Sequence, residues 1–190
     1  MKQSFWKSRY ETADTGWNIG NVSTPIKELL DQLDDKSLKI LIPGCGYGYE
    51  AIYAHRLGFR NVYVLDFVAE PLEMLRKNCP DFPEAHILQE DFFTHEAQYD
   101  LVIEQTLFCA IDPDNREQYA QAITRLLKPG GKLTGLLFDR AFESGPPFGG
   151  SETEYRELFS RYFKDVDIRP CLNSIPKRLG TEVFINISNG

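Results

Sequence analysis

Long apolar runs are missing from this sequence. No stretch approaches the roughly 18 residues needed to span a bilayer. The opening MKQSFWKSRYETAD has no apolar segment of the kind that marks a secretory signal. Repeats, low-complexity tracts and Pro/Gly/Ser linkers are missing too. Cysteine is sparse: Cys45, Cys79, Cys109 and Cys171 stand far apart, with no C-x-x-C pair. That spacing suggests neither a disulfide framework nor a zinc site. His55, His86 and His95 are too scattered in sequence for a metal-ligand cluster. Positive charge is in deficit, with 21 Lys and Arg against 28 Asp and Glu, a net −7. Nucleic-acid binders need clustered cations to neutralise phosphate, and anionic membranes attract the same. These absences predict a cytoplasmic protein that handles small molecules, with no nucleic-acid, membrane or metal partner. Oligomeric state is not legible.

What is present is core material: 190 residues, 42% of them apolar and 13% aromatic, enough for one domain. Helix and strand patterns alternate from about residue 24 to the end, which favours an α/β sheet covered on both faces. Thr24-Pro25 reads as a cap and first helical residue, followed by a stripe of Ile26, Leu29, Leu30 and Leu33. Strands are predicted at 38–42, 61–65, near 85–89, at 101–103, 132–138, 165–170 and 181–187. The helix carrying Tyr119, Ile123 and Leu126 is expected to stop at Pro129-Gly130-Gly131. Ser151 and Glu154 form a capping-box pattern. The order suits a doubly wound, mostly parallel seven-stranded sheet with helices on both faces. The last two strands have no helix between them and can pair antiparallel.

Three motifs fall at strand ends, where such sheets bind ligands. Gly44-Cys45-Gly46-Tyr47-Gly48 follows the first strand and lets backbone approach a ligand closely. A dinucleotide fingerprint needs a third glycine where Tyr49 stands, and no Lys-Ser/Thr follows to make a P-loop. Asp66 ends the second strand, where a carboxylate can accept from both hydroxyls of a ribose. Asp91-Phe92 follows the third strand and can offer a carboxylate and a backbone N–H to adenine. Phe67 or Phe92 is placed to stack on its face. Glu104-Gln105 closes the fourth strand. An adenosine cofactor without a pyrophosphate fits this set.

The runs ILIPGCGYGYE, VYVLDF, QEDFF, YDLVIEQTLFCAI and LLKPGGKL resemble the class I S-adenosylmethionine-dependent methyltransferases over residues 38–190. That resemblance implies a Rossmann-like seven-stranded sheet with the last strand antiparallel. Trp6-x-x-x-Tyr10, Thr15-Gly16-Trp17-Asn18-x-Gly20, PGCG, FCAIDPDNREQYA and GPPF extend it to nearly the whole chain. They are similar to the thiopurine methyltransferase-like superfamily, nearest its thiol and halide methyltransferase branch. The implied cofactor contacts are Trp6, Tyr10, Trp17, Gly44, Asp66, Asp91, Phe92 and Gln105, with Gly46 and Phe67 added from the motif reading. Two positions depart from the pattern. The plant thiol methyltransferases carry tryptophan at the place of Tyr10 and tyrosine at that of Gln105, where thiopurine methyltransferases carry arginine.

The expected organisation is an N-terminal aromatic arm, 1–23, folded over the cofactor, and a single methyltransferase domain, 24–190. The expected reaction moves a methyl group to a small thiol or halide. No Ser–His–acid pattern appears and no catalytic residue is assigned; acceptors that are already anionic need no general base. Phe108 and Cys109 after the fourth strand, and Pro147 and Phe148 in the Gly145–Gly150 segment, are expected to wall the acceptor pocket. That segment has the composition of a lid. Competing readings are a nicotinamide-dependent oxidoreductase, opposed by Tyr49, and a non-catalytic S-adenosylmethionine-binding protein.

Overall fold

A computed structural model describes residues 3–190. Helix α1 (Gln3–Glu11) and an irregular stretch lead to α2 (Thr24–Asp31). Then come β1 (Lys39–Pro43), α3 (Tyr49–Arg56), β2 (Asn61–Asp66), α4 (Ala69–Asn78), β3 (Ile87–Gln89) and β4 (Tyr99–Gln105). They are followed by α5 (Arg116–Leu126), β5 (Leu127–Phe138), α6 (Glu152–Phe159), β6 (Asp165–Pro170) and β7 (Glu182–Ser188). The strands form one sheet in the order β3-β2-β1-β4-β5-β7-β6. Only β7 runs antiparallel, inserted between β5 and β6.

Successive strand residues point to opposite faces, and here both faces are apolar. Ile40, Ile42, Val62, Val64 and Ile103 share one face with Ile26, Leu30, Ala51, Leu72 and Leu75 from α2, α3 and α4. Leu41, Leu65 and Val102 share the other with Tyr119, Ile123 and Leu126 of α5 and Tyr155 and Phe159 of α6. Burying each large side chain contributes about 1.5–3 kcal/mol. A one-residue slip would exchange the two layers, so the two cores hold the register.

Two local expectations change. The cap of α2 is Ser23 rather than Thr24, and its side chain does not cap the helix. Instead the Ser23 hydroxyl donates to Gln105 Oε1 at 3.0 Å and its N–H to Glu50 Oε1 at 3.2 Å. Pro129-Gly130-Gly131 does not separate α5 from its strand. The chain is already extended at Leu127, and the three residues form an irregularity within β5, where the register jumps from Tyr99↔Leu127 to Leu101↔Lys132. Gly130 takes φ 75° there, a left-handed conformation that glycine adopts without strain.

The topology decides what meets at the site. Strand order reverses between β1 and β4, which opens a crevice at their carboxyl ends. Because β7 is reversed, its first residue pairs at the end of β5, Glu182 opposite Phe138. The β6–β7 loop therefore arrives at the same edge.

Candidate active site

The turn after β1 is built on left-handed glycines. Gly48 has φ 72°, and a Cβ there would collide with the Leu75 side chain. Only hydrogen fits between the start of α3 and α4. Gly46 has φ 51°, and its Cβ position lies 3.4 Å from the Tyr10 hydroxyl. The Gly46 N–H donates to Asp66 Oδ2 at 3.2 Å, and the Val68 N–H donates to Asp66 Oδ1 at 3.0 Å. Those bonds hold the Asp66 carboxylate at the end of β2. Burial pushes its pKa up to about 6, against the pull of the backbone donors. Each carboxylate oxygen has further acceptor capacity.

Asp91 follows β3. Its Oδ1 accepts from the Phe93 N–H at 2.8 Å, which folds the segment into an Asx turn. The Phe92 ring is almost fully buried and stacks on Tyr119 with centroids 5.2 Å apart. It is committed to the core, so of the two predicted stacking rings the half-buried Phe67 is the free one.

A cavity of about 800 Å³ opens over these strand ends, the size of an ordinary small-molecule site. Gly44, Asp66, Phe67, Asp91 and Phe92 line it, as do Trp6, Tyr10 and Trp17 of the N-terminal arm. Trp6 and Tyr10 sit one helical turn apart on α1 and so share a face. Trp17 packs edge-on against both, at 5.3 and 5.5 Å, and Tyr10 continues the row to Tyr47 at 5.5 Å. Arg178 of the β6–β7 loop donates to the Trp17 carbonyl at 3.2 Å, tying the arm to the far wall. A recess of about 40 Å³ adjoins the cavity; Gly46 and Gln105 line the recess rather than the larger space.

Of the predicted acceptor residues, Cys109 and Pro147 line the cavity, whereas Phe108 and Phe148 do not. Phe108 is turned inward by the 3₁₀ turn Phe108–Ala110 and packs on Tyr119 and Tyr155 at 5.0 and 5.5 Å. The turn is held by Glu104, wholly buried, whose Oε1 accepts from the Phe108 N–H at 2.9 Å and Oε2 from the Tyr119 hydroxyl at 2.6 Å. Burial pushes the Glu104 pKa up to about 7. The Phe148 ring folds back over Gly145, and its N–H donates to the Cys109 carbonyl at 2.6 Å. With Arg116 bonded to the Gly149 carbonyl at 2.7 Å, this half of the expected lid is anchored. Burial pushes the Cys109 thiol up to about 12, so it stays protonated and is no nucleophile.

Among the described residues no histidine lines the cavity. His95 is held between Glu90, at 2.6 Å, and the Tyr99 hydroxyl, at 2.8 Å. His55 and Cys79, distant in sequence, meet at Asp81 on another part of the surface, at 3.2 and 3.3 Å. The sequence reading missed the cationic wall: Arg140, Lys177 and Arg178, with Phe138, Phe142 and Ile175 between them. Its signal was the Pro176-Lys177-Arg178 run before an antiparallel last strand, whose reversal carries that run to the ligand edge. Arg178 is largely buried, pairs with Glu182 at 3.4 Å and lies over the Phe138 ring at 5.3 Å.

Comparison with known proteins fits this geometry to a family. The model of the thiopurine S-methyltransferase family matches residues 1–171. The chain belongs to that family. A probable thiol methyltransferase 2 of Arabidopsis thaliana is 35% identical over 159 residues, covering 80% of this chain and 70% of the relative. Thiocyanate methyltransferase 1 of Brassica oleracea is 30% identical, covering 96% of this chain and 83% of the relative. Among solved structures, a Burkholderia thailandensis 1,6-didemethyltoxoflavin-N1-methyltransferase with bound S-adenosylhomocysteine shares the fold. Its TM-score is 0.76 at 20% identity, covering 97% of this chain and 85% of that one. The protein is an S-adenosylmethionine-dependent methyltransferase. Its own residues fit that cofactor: a carboxylate with free acceptor capacity, a glycine turn that brings backbone to the cavity, and aromatic walls. In this methyltransferase no helix is long and apolar enough to cross a membrane, among the described residues.

Proposed function

We infer that this methyltransferase acts in the cytoplasm on a small, soft, anionic nucleophile: a thiolate first, with thiocyanate and halide ions in the same class. The observation that carries this reading is the division of the cavity by charge. Among the residues borne by the sheet's strand ends, Asp66 and Asp91 stand over β2 and β3, and Arg140, Lys177 and Arg178 stand over β5 and β7; Arg9 of the arm also lines the cavity, but it is paired with Asp14 at 3.1 Å. The carboxylate side suits the hydroxyls and amine of an adenosine. The cationic side suits an anion. Arg178 spends one donor on Glu182 and one on the Trp17 carbonyl, and a guanidinium has five.

When bound, S-adenosylmethionine supplies a methyl group made electrophilic by its sulfonium. The chain's part is to hold, align and dry the site. Asp66 accepts from the ribose, Phe67 covers the adenine, and Trp6, Tyr10 and Trp17 of the 1–23 arm close over the 24–190 domain. Gly44, Gly46, Asp91, the Phe92 backbone and Gln105 complete the cofactor's surroundings. Arg178 and Arg140 lower the cost of bringing an anion into a pocket walled by Phe138, Phe142, Pro147 and Cys109. Aligning two bound reactants supplies a large part of such a rate enhancement. With no histidine on the wall, acceptors that ionise by themselves suit the site better than alcohols. A net charge of −7 speaks against a nucleic-acid substrate. The thiol and thiocyanate methyltransferases among the relatives support the same class.

The test is an acceptor panel of sulfide, aromatic thiols, thiocyanate, iodide and catechols, with release of S-adenosylhomocysteine as the readout. Thiols and thiocyanate should turn over, and Arg178→Leu should raise their KM. Turnover confined to alcohols or amines would overturn the reading.

A further inference from the structure

His55 and Cys79 stand too far apart in sequence to suggest a metal site, yet the fold brings them together. His55 lies in the last turn of α3, Cys79 is the residue that ends α4, and Asp81 follows two residues later. The Asp81 carboxylate bridges the other two. Its Oδ2 lies 3.2 Å from His55 Nε2, and its Oδ1 accepts from the Cys79 thiol at 3.3 Å. The three donor atoms all fall within 4.8 Å of one another. A helix that joins parallel strands starts at the carboxyl end of one and finishes at the amino edge of the next. α3 and α4 are such connections, so their last residues gather at the edge of the sheet opposite the cavity. None of the three lines it.

The groups are held in place from behind. The Cys79 N–H donates to the Leu75 carbonyl at 2.9 Å, and the Phe82 N–H donates to the Cys79 carbonyl at 3.0 Å. That turn fixes Cys79 and Asp81 relative to each other. The Phe82 ring packs on the His55 imidazole with centroids 5.3 Å apart. Cys79 is buried, whereas the Asp81 side chain is 80% exposed, so the cluster has a firm protein side and an open one. As a hydrogen-bonded trio it contributes little: an exposed ion pair is weak, and a thiol is a weak donor. As a ligand set it is well matched. Thiolate, imidazole and carboxylate are the donors zinc takes, at about 2.3, 2.0–2.1 and 2.0–2.2 Å. A tetrahedral ion with those bonds spaces its donors about 3.3–3.6 Å apart. The two bridged edges are already close to that, and a small rotation of the imidazole closes the third. Calcium and magnesium prefer oxygen donors alone. The thiolate and the carboxylate together balance a divalent charge, and Arg56 acts on the thiol in the sense that favours its ionised form.

We propose that His55, Cys79 and Asp81 form a binding site for a zinc-class divalent ion, with water at the open fourth position, that staples the end of α3 to the end of α4. As the metal–sulfur bond forms, the proton that the thiol donates to Asp81 leaves for solvent, and no electron moves. The ion stands apart from the methyl transfer and takes no part in it. Because the three ligands meet only in the folded chain, binding stabilises that chain by mass action.

The test uses full-length, tag-free protein stripped of metal by a chelator. Zn²⁺ would be titrated in competition with a chromophoric chelator, and Co²⁺ would serve as the spectroscopic probe, on wild type, His55→Gln, Cys79→Ser and Asp81→Asn. Wild type should take up a single Zn²⁺ per chain, and its thermal midpoint should rise with added Zn²⁺. Co²⁺ should give a sulfur-to-metal charge-transfer band and the strong visible bands of a tetrahedral ion. Each variant should weaken Zn²⁺ binding by more than about 100-fold, since groups that only orient a ligand already cost 10- to 100-fold. Cys79→Ser should also lose the charge-transfer band. Asp81 is exposed, so Asp81→Asn should keep the metal-free urea midpoint of wild type and still lose the ion. Failure of wild type to bind Zn²⁺ would overturn the proposal. So would binding that survives in all three variants, which would place the ion elsewhere on the chain, and so would an octahedral Co²⁺ spectrum without the sulfur band.

Discussion

Asp66 is held by the fold at the place where the proposed function needs a carboxylate. Its two oxygens take backbone donors from Gly46 and Val68, which orients the carboxylate before any ligand arrives. Replacing it with alanine should weaken S-adenosylhomocysteine binding by about 1–3 kcal/mol, as expected for hydrogen bonds to a charged group. Its pKa near 6 adds a pH signature. The ionised form is the better acceptor, so wild-type affinity should fall as pH drops below about 6, while Asp66→Ala should show no such fall. Parallel calorimetric profiles for the two proteins would remove Asp66 from the site. Glu104 is shifted in the same direction, and its consequence is read in stability rather than in binding. Its pKa rises from 4.5 to about 7 on folding, so the native state holds this proton more tightly than the unfolded chain. The stability this provides is present below about 4.5 and is lost as pH rises through about 7. Glu104→Gln has no proton to lose. Its stability relative to wild type should improve by on the order of 2–3 kcal/mol across that window, read by urea unfolding. A difference that stays constant with pH would refute the assignment. Asp66 was legible in sequence because it ends an apolar strand. Glu104 was not, because its meaning depends on Tyr119 and Phe108, which reach it only in the folded chain.

Whole elements were legible where periodicity was strong and local. The stripe on α2 and the apolar run of β1 place themselves, because each buries against whatever covers it. The sequence pattern places the cap of α2 one residue late, at Thr24; Ser23 stands in that position, and its hydroxyl has a partner 82 residues away, so a tertiary bond outcompeted the local cap. Pro129-Gly130-Gly131 misled in the same way: breakers of a helix are also bulge formers in a strand, and the pairing with β4 decided between the two. The glycine turn predicts its own test. A side chain on Gly48 must take a strained backbone and collide with Leu75. Gly48→Ala should therefore cost about 1–3 kcal/mol of stability in denaturant unfolding, and an unchanged midpoint would contradict the packing of α3 on α4.

At the scale of the molecule, the arm and the β6–β7 loop meet above the strand ends through Trp17 and Arg178. The buried residues of the two cores come from residue 26 onward, and α1 contributes none. Deleting residues 1–20 should thus leave a cooperatively unfolding sheet domain that no longer binds S-adenosylhomocysteine measurably. Wild-type affinity in the truncated protein would sink the role given to the arm. The division of labour between sequence and tertiary structure follows from range. Alternating apolar runs, glycine turns and acidic strand ends are short-range patterns, and by themselves they determined the sheet, its helices, the residues that line one side of the cavity and the family resemblance. The cationic wall, the anchored Phe148 segment and the inward turn of Phe108 were decided only by the folded chain. Each depends on strand order, on the reversal of β7, or on burial, and those arise when distant segments compete for the same space and the same hydrogen bonds.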